Sequence, residues 1–198
     1  MKNIAISLQK IMDNLQSLSF LASLSLRLYL FPIFWVAGVN KINSFEETVM
    51  WFGNTEWGLG LPFPTLMASL ATGAEIGGAI LILIGLATRW ASIPLMITMI
   101  VAASSVHWNN GWQAVHDLNS PWANENAVGA IERLDKAKEI LQEYGNYAWL
   151  TEHGNFIVSN NGIEWAVTYL IMLLALFFLG GGKYLSIDYW IRKRYMNH

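Results

Sequence analysis

The chain has 198 residues, of which 54% are hydrophobic and only 13% charged, with a formal net charge of −2 and a mean hydropathy of +0.35. This is the balance of a membrane protein rather than of a soluble domain. There is no cysteine, which excludes disulfide exchange, covalent haem attachment, thiolate metal centres and any membrane redox chemistry built on a C-x-x-C pair.

The N-terminal stretch MKNIAISLQKIMDNLQSLS places Ile4, Leu8, Ile11, Met12, Leu15 and Leu18 on one helical face. That spacing suits either an amphipathic helix on the membrane surface or an extension of the first span. Four apolar runs follow that are long enough to cross a hydrocarbon core of about 30 Å: Phe20–Val39, Thr65–Leu86, Trp90–Val106 and Ile163–Leu179. The first reads as a retained signal anchor, being too long for a cleaved signal and lacking a clean small-x-small site after it. The expected fold class is therefore an all-α integral membrane protein: a single domain, 1–198, built as an antiparallel bundle of four transmembrane helices, with 108–162 as a long outer loop.

Between the first two spans, SFEETVMWFG has Ser44 three residues before Glu47 and Gly53 at its end. This is a capping-box arrangement predicting a short interfacial helix. Within the long loop, ENAVGAIERLDKAKEILQEYG predicts one soluble helix ending at Gly145, with Glu132 and Lys136 as an i,i+4 pair. Two similar motifs flank this loop, WNNGW (Trp108 to Trp112) and SNNGIEW (Ser159 to Trp165). Their Asn and Gly residues suit helix ends, and both motifs belong to the same membrane face, where they are able to meet.

Alternating spans put the N-terminus, the Thr88–Arg89 turn and the C-terminus on one side. That side carries Lys2, Lys10, Arg89, Lys183, Arg192, Lys193 and Arg194, so the positive-inside rule makes it cytoplasmic. The opposite, periplasmic face holds eleven of the fourteen carboxylates. An acidic face argues against nucleic acid and suits either simple solvation or a basic partner.

Tyrosines aside, the ionisable side chains away from the ends of the spans are Arg27 and Glu75, Glu164 being the second residue of the fourth. Buried intramembrane charges usually face the bundle interior and find a partner. Arg27 lies fourteen residues from Lys41 and Glu75 eleven from Pro64. At about 1.5 Å per residue their depths then differ by about 5 Å, which predicts an Arg27–Glu75 ion pair. Such a pair either fixes helix register or serves a ligand, quinone or proton site. Around Glu75, Gly73 and Gly77 form a small-xxx-small pattern that invites a close helix.

RLYLFPIFWVAGVNK, with Arg27, Gly38 and Lys41, and then GAEIGGAILILIGLATRWA resemble the DoxX family of small bacterial four-helix membrane proteins. The resemblance covers roughly Leu24 to Ala103 and the fourth span, and E-x-G-G followed by L-x-G-L-x-T-R is its most specific part. The later segments VHWNNGW, RLDKAKEILQEYGNYAWLTEHGNF and NNGIEWAVTYLIMLLALFFLGGGKYLSIDYW resemble a DoxX subgroup associated with copper-responsive, post-translationally modified peptides. Because relatives include a membrane subunit of thiosulfate:quinone oxidoreductase, the resemblance implies redox work beside a quinone pool.

Arg27 and Glu75 are thus the candidate catalytic residues, and Lys41, His107, Asn109, Asn161 and Glu164 the candidate ligand-binding residues, gathered toward the outer face. They predict a cavity with Glu75 near its floor and His107 near its rim. Copper is a weaker candidate than quinone. His107, His116, His153, Met96 and Met99 are suitable ligand types, but Met99 and His107 are eight residues, or about 12 Å, apart on a helix, and no metal site is assigned. Three functional classes remain: a redox or peptide-maturation component binding quinone or a small ligand; a non-catalytic scaffold docking soluble enzymes or a peptide; and a transporter, disfavoured because four spans leave little room for alternating access without homo-oligomerisation. With no nucleophile-base set, P-loop or dinucleotide fingerprint, electrons must come from a cofactor or partner.

Overall fold

In the computed structural model, which describes residues 9, 10 and 13–196, every regular element among the described residues is helical, and the one extended pairing is an isolated bridge between Val115 and Ser159. The chain divides into two compact units, Met1–Met99 with Tyr169–His198, and Ile100–Thr168. Among the described residues, three helical stretches are long and apolar enough to cross a membrane: Asp13–Asn43, Pro64–Ile84 and Thr88–Asn110. The expected fourth span is a shorter apolar helix of 16 residues, Glu164–Leu179, or about 24 Å at 1.5 Å per residue.

In the first unit, α1 (Phe20–Asn43) follows a 3₁₀ turn at Gln16–Ser19. Residues 13–19 thus prolong the span, which favours the extension over a separate surface helix; Ile4, Leu8, Ile11 and Met12 lie outside the described residues. The buried positions of α1 are Ser23, Arg27, Leu30, Phe34 and Gly38, a three- and four-residue spacing that makes one stripe. The partner stripe on α3 (Pro64–Ile84) is Ala68, Thr72, Glu75, Gly78, Ala79 and Ile82. The two helices run antiparallel, with Gly38 level with Glu75 and Ile76 and Arg27 level with Ile82 and Leu83. Between these levels sits the core of Leu30, Phe34, Ala79 and Ile82, completed by Ala91 and Leu95 of α4 (Thr88–Val101) and by Leu173 and Leu176 of α7 (Glu164–Leu179).

Close helix approach is made by other glycines than expected. A Cβ at Gly38 would collide with the Ile76 side chain, and one at Gly78 would lie 2.8 Å from Leu95 Cγ, whereas nothing lies within 4 Å of a Cβ built at Gly73 or Gly77. The Gly73 and Gly77 face is therefore not a packed helix contact here, because the buried stripe of α3 passes through Glu75 and Gly78 instead.

The short helix predicted after the first span is present as α2 (Phe45–Gly53), but its capping box does not form. Ser44 Oγ donates to Asn40 O at 2.9 Å, bonding back into α1 rather than forward into α2. In the second unit, helix α5 (Glu125–Tyr144) ends at Gly145 as its sequence predicts, started by Asn124, whose side chain accepts from the Ala127 N–H. Lys136 pairs with Glu139 at 2.7 Å rather than with Glu132. A single turn, α6 (Tyr147–Leu150), follows, and α8 (Ile187–Tyr195) closes the first unit.

Candidate functional site

The two intramembrane charges do not meet. Glu75 is paired with Lys41, whose Nζ donates to Oε1 at 2.8 Å and Oε2 at 2.7 Å. The expected Arg27–Glu75 pair fails because it assumed level helix ends. Gly38 lies against Glu75, so Lys41 is three residues, about 5 Å, beyond that level, and its flexible stem reaches back. Pro64 is eleven residues beyond it, about 16 Å, with α2 and the Asn54–Phe63 turn filling the difference.

The pair is asymmetric. The Glu75 side chain is 6% exposed and that of Lys41 24%, so the carboxylate is enclosed while the ammonium borders the surface. The wall beside it is made by Gly38, where an added Cβ would lie 3.3 Å from the Glu75 Cβ, and by Thr72, which lies one turn earlier on the same stripe and whose hydroxyl donates to Ala68 O. A carboxylate and an ammonium sharing both oxygens form a site able to exchange a proton within the pair and to offer N–H donors to an incoming oxygen.

Arg27 is 2% exposed, and its hydrogen bonds among the described residues go to backbone carbonyls. Its Nε donates to Ile82 O at 2.6 Å, Nη2 to Leu83 O at 2.6 Å, and Nη1 to Gly181 O at 2.8 Å and Leu185 O at 2.9 Å. Ile82 and Leu83 belong to the last turn of α3, where the dipole is negative and carbonyls have spare acceptor capacity. The guanidinium therefore ties that helix end to the loop 180–186. Around it, Ser23 Oγ donates to Gly180 O, the Asp188 carboxylate accepts from the N–H groups of Ala87 and Thr88, and Asp188 N–H donates to Gly85 O. Gly85 has φ +68°, and a Cβ there would lie 2.8 Å from Arg27 Cζ. The L-x-G-L-x-T-R pattern is thus the turn that this knot closes around, a role the sequence did not show because half of its partners are carbonyls far away in the chain.

Of the remaining candidates, His107, Asn161 and Glu164 lie together in the second unit. The π-helical turn Ala102–His107 carries His107, whose Nδ1 is 2.8 Å from Asn161 O, and Asn110 Nδ2 donates to the same carbonyl. Asn160 Nδ2 donates to the carbonyls of Asn110 and Gln113, while Glu164 Oε2 accepts from the Ala114 N–H at 2.8 Å. The two Asn-Gly motifs therefore do meet, 111–114 against 160–164, and Asn160 and Asn161 serve this pairing rather than capping α7. Gly162 permits it, since a Cβ there would lie 2.6 Å from Gly111 O and 2.7 Å from Trp112 O. Asn109 is exposed and takes no part. A cleft of about 560 Å³ opens beside the pairing, lined by Trp112, Gln113, Asp117, Trp122, Glu164 and Trp165 among others. Among the described residues no group of three or more His, Asp or Glu is placed to hold a metal ion.

Apolar helices of spanning length with an ion pair on the packed face of two of them define a helical membrane protein. Known proteins extend this description. The DoxX family model matches residues 22–108, which contain Arg27, Lys41, Glu75 and the turn around Gly85. Over 86 residues, 43% of this chain, the sequence is 34% identical to a Bacillus subtilis (strain 168) protein named "Putative oxidoreductase CatD". The chain spans 60% of the length of that relative. No solved structure matches.

Proposed function

We propose that this chain is a DoxX-type redox component of the bacterial inner membrane, with four spans and cytoplasmic termini, in which Lys41 and Glu75 form the working site. The observation that carries this reading is the enclosed Glu75 carboxylate held by a Lys41 ammonium that reaches the surface. The similarity to a protein named as an oxidoreductase supports it. A quinone is the ligand class that fits: Lys41 would hold a carbonyl oxygen, and Glu75 would give or take the proton that accompanies electron transfer. A bound quinone supplies the electron-carrying chemistry, and a partner protein is its counterpart, because this chain has no thiol or dinucleotide fingerprint of its own. A place in the maturation of a copper-related modified peptide rests on the resemblance of the loop and fourth-span segments alone.

The test is the quinone content of detergent-purified protein, measured by mass spectrometry of its lipid extract, for the parent and for Lys41→Met and Glu75→Gln. Retained quinone in the parent and at least about tenfold less in Lys41→Met supports the reading. No quinone in the parent, with soluble partners copurifying unchanged in all three, replaces it with a scaffold. Topology is tested separately with Ser120→Cys and Asn197→Cys, which should label from outside and not from outside, respectively, with an impermeant thiol reagent in spheroplasts.

A further inference from the structure

The cleft in the second unit is not used by the Lys41–Glu75 site, and its chemistry is one-sided. Its ionisable lining residues are Asp117 and Glu164, with no Lys, Arg or His among the residues that line it. Neither carboxylate has an ion-pair partner among the described residues. Both are held in place. Glu164 Oε2 accepts from the Ala114 N–H, fixing the side chain, and Asp117 Oδ1 accepts from the Asn119 N–H while its carbonyl receives the Gln113 side chain at 2.7 Å. Beside them, Trp112 and Trp122 pack with ring centroids 5.3 Å apart and planes inclined by 37°, giving an aromatic wall.

We propose that this cleft binds an organic cation, a quaternary or substituted ammonium or a guanidinium. Uncompensated carboxylates next to indole faces attract a cation twice, through its charge and through the ring quadrupole. The volume is that of a small-ligand pocket. Two carboxylates and an indole wall give a bare metal ion too few oxygen ligands, whereas a bulky, weakly hydrated cation uses the rings and the charge together. The pairing of 111–114 with 160–164 holds Trp112 and Glu164 in place before any ligand arrives, so little ordering is needed on binding. The cation head has two possible sources, a free small molecule or a basic side chain of a peptide, and both present the same chemistry.

The test is titration of the full detergent-purified chain, followed by tryptophan fluorescence, with choline, with N-acetyl-arginine amide, and with 3,3-dimethyl-1-butanol as the neutral isostere of choline. Saturable binding of choline or the arginine amide, at least about tenfold tighter than the isostere, supports the site, and which of the two binds tighter identifies the source. Glu164→Gln keeps an oxygen for the Ala114 N–H while removing the charge. It should weaken the cation about tenfold without changing the isostere, and Asp117→Asn is a second variant should the first fold poorly. Equal binding of cation and isostere, no saturable response, or full affinity in both folded variants overturns the proposal. Quinone content, the readout for Lys41 and Glu75, is independent of every one of these outcomes.

Discussion

Helix α1 carries a cation near each end of its packed stripe, and the two are used in opposite ways. Arg27 is saturated: four of its five N–H donors end on carbonyls of two other segments, and it is 2% exposed. Lys41 has a single partner, the Glu75 carboxylate, and a quarter of its side chain is accessible. A planar fork with four of its five donors used on backbone is a fastener, because moving it breaks several bonds at once. An ammonium on a flexible stem, paired with one carboxylate at the surface of the bundle, is free to exchange that partner for a ligand. The difference teaches that an intramembrane charge is not in itself a functional mark; its unused donors and its access to the outside decide.

The largest effect should come from breaking the fastener. Arg27→Met leaves the carbonyls of Leu83, Gly181 and Leu185 without the donor they have here, while Ile82 O keeps the Gly85 N–H, at about 1 to 3 kcal/mol for each buried unsatisfied group. Folded yield and thermal midpoint in detergent should fall sharply, and Arg27→Lys should recover little, because one ammonium does not span the four acceptors. Adding Glu75→Gln to Arg27→Met should simply add its own loss, as expected of sites without shared partners. A thermal midpoint for Arg27→Met within about 2 °C of the parent would show that the knot is held by something else.

A smaller effect, with a different shape, is expected at the other end. Glu75→Gln leaves Lys41 without its counter-ion, Lys41→Met leaves an enclosed carboxylate, and the second should be the more damaging because Glu75 is the better buried of the two. Breaking a buried pair on one side costs about 3 to 5 kcal/mol, while replacing both members often costs far less. The double variant Lys41→Met with Glu75→Gln should therefore melt above Lys41→Met alone, with a coupling of about 0.5 to 3 kcal/mol in a thermal-stability cycle. Strict additivity would mean that the two side chains do not touch in the membrane.

Much of this was legible in the sequence, and the part that was not has one cause. The apolar runs, the helix over Glu125–Tyr144, the stop at Gly53 and the unusual standing of Glu75 follow from composition, period and capping residues, which are local. Which cation Glu75 takes is not local. It depends on how far α3 projects beyond α1, which α2 and the turn before Pro64 set and which hydropathy does not show. Arg27 had no visible partner in the sequence because its partners are carbonyls, which every residue has. His107, Asn161 and Glu164 were recognisable as members of one surface through the repeated Asn-Gly motif, although the strand-like pairing that joins them has no periodic signal of its own.

The smallest effects should separate the glycines that bring α1 and α4 onto α3 from those that only look as if they do. At Gly38 an added methyl meets the Ile76 side chain and the Glu75 Cβ at 3.3 Å, so Gly38→Ala should push α1 away from α3, with a loss of about 1 to 3 kcal/mol as in other overpacked contacts. It should also loosen the Lys41–Glu75 pair, because Gly38 sets the level at which Lys41 reaches back. Gly73 and Gly77 have nothing within 4 Å of a new Cβ, so Gly73→Ala and Gly77→Ala should be neutral or stabilising by about 0.5 to 1 kcal/mol through the helix preference of alanine. Thermal midpoints of the three variants, measured in one detergent, decide between these signs. A loss at Gly73 and Gly77 matching that at Gly38 would mean that their face is covered after all, and a second copy of the chain, detected by the mass of the purified complex, would be the helix that covers it.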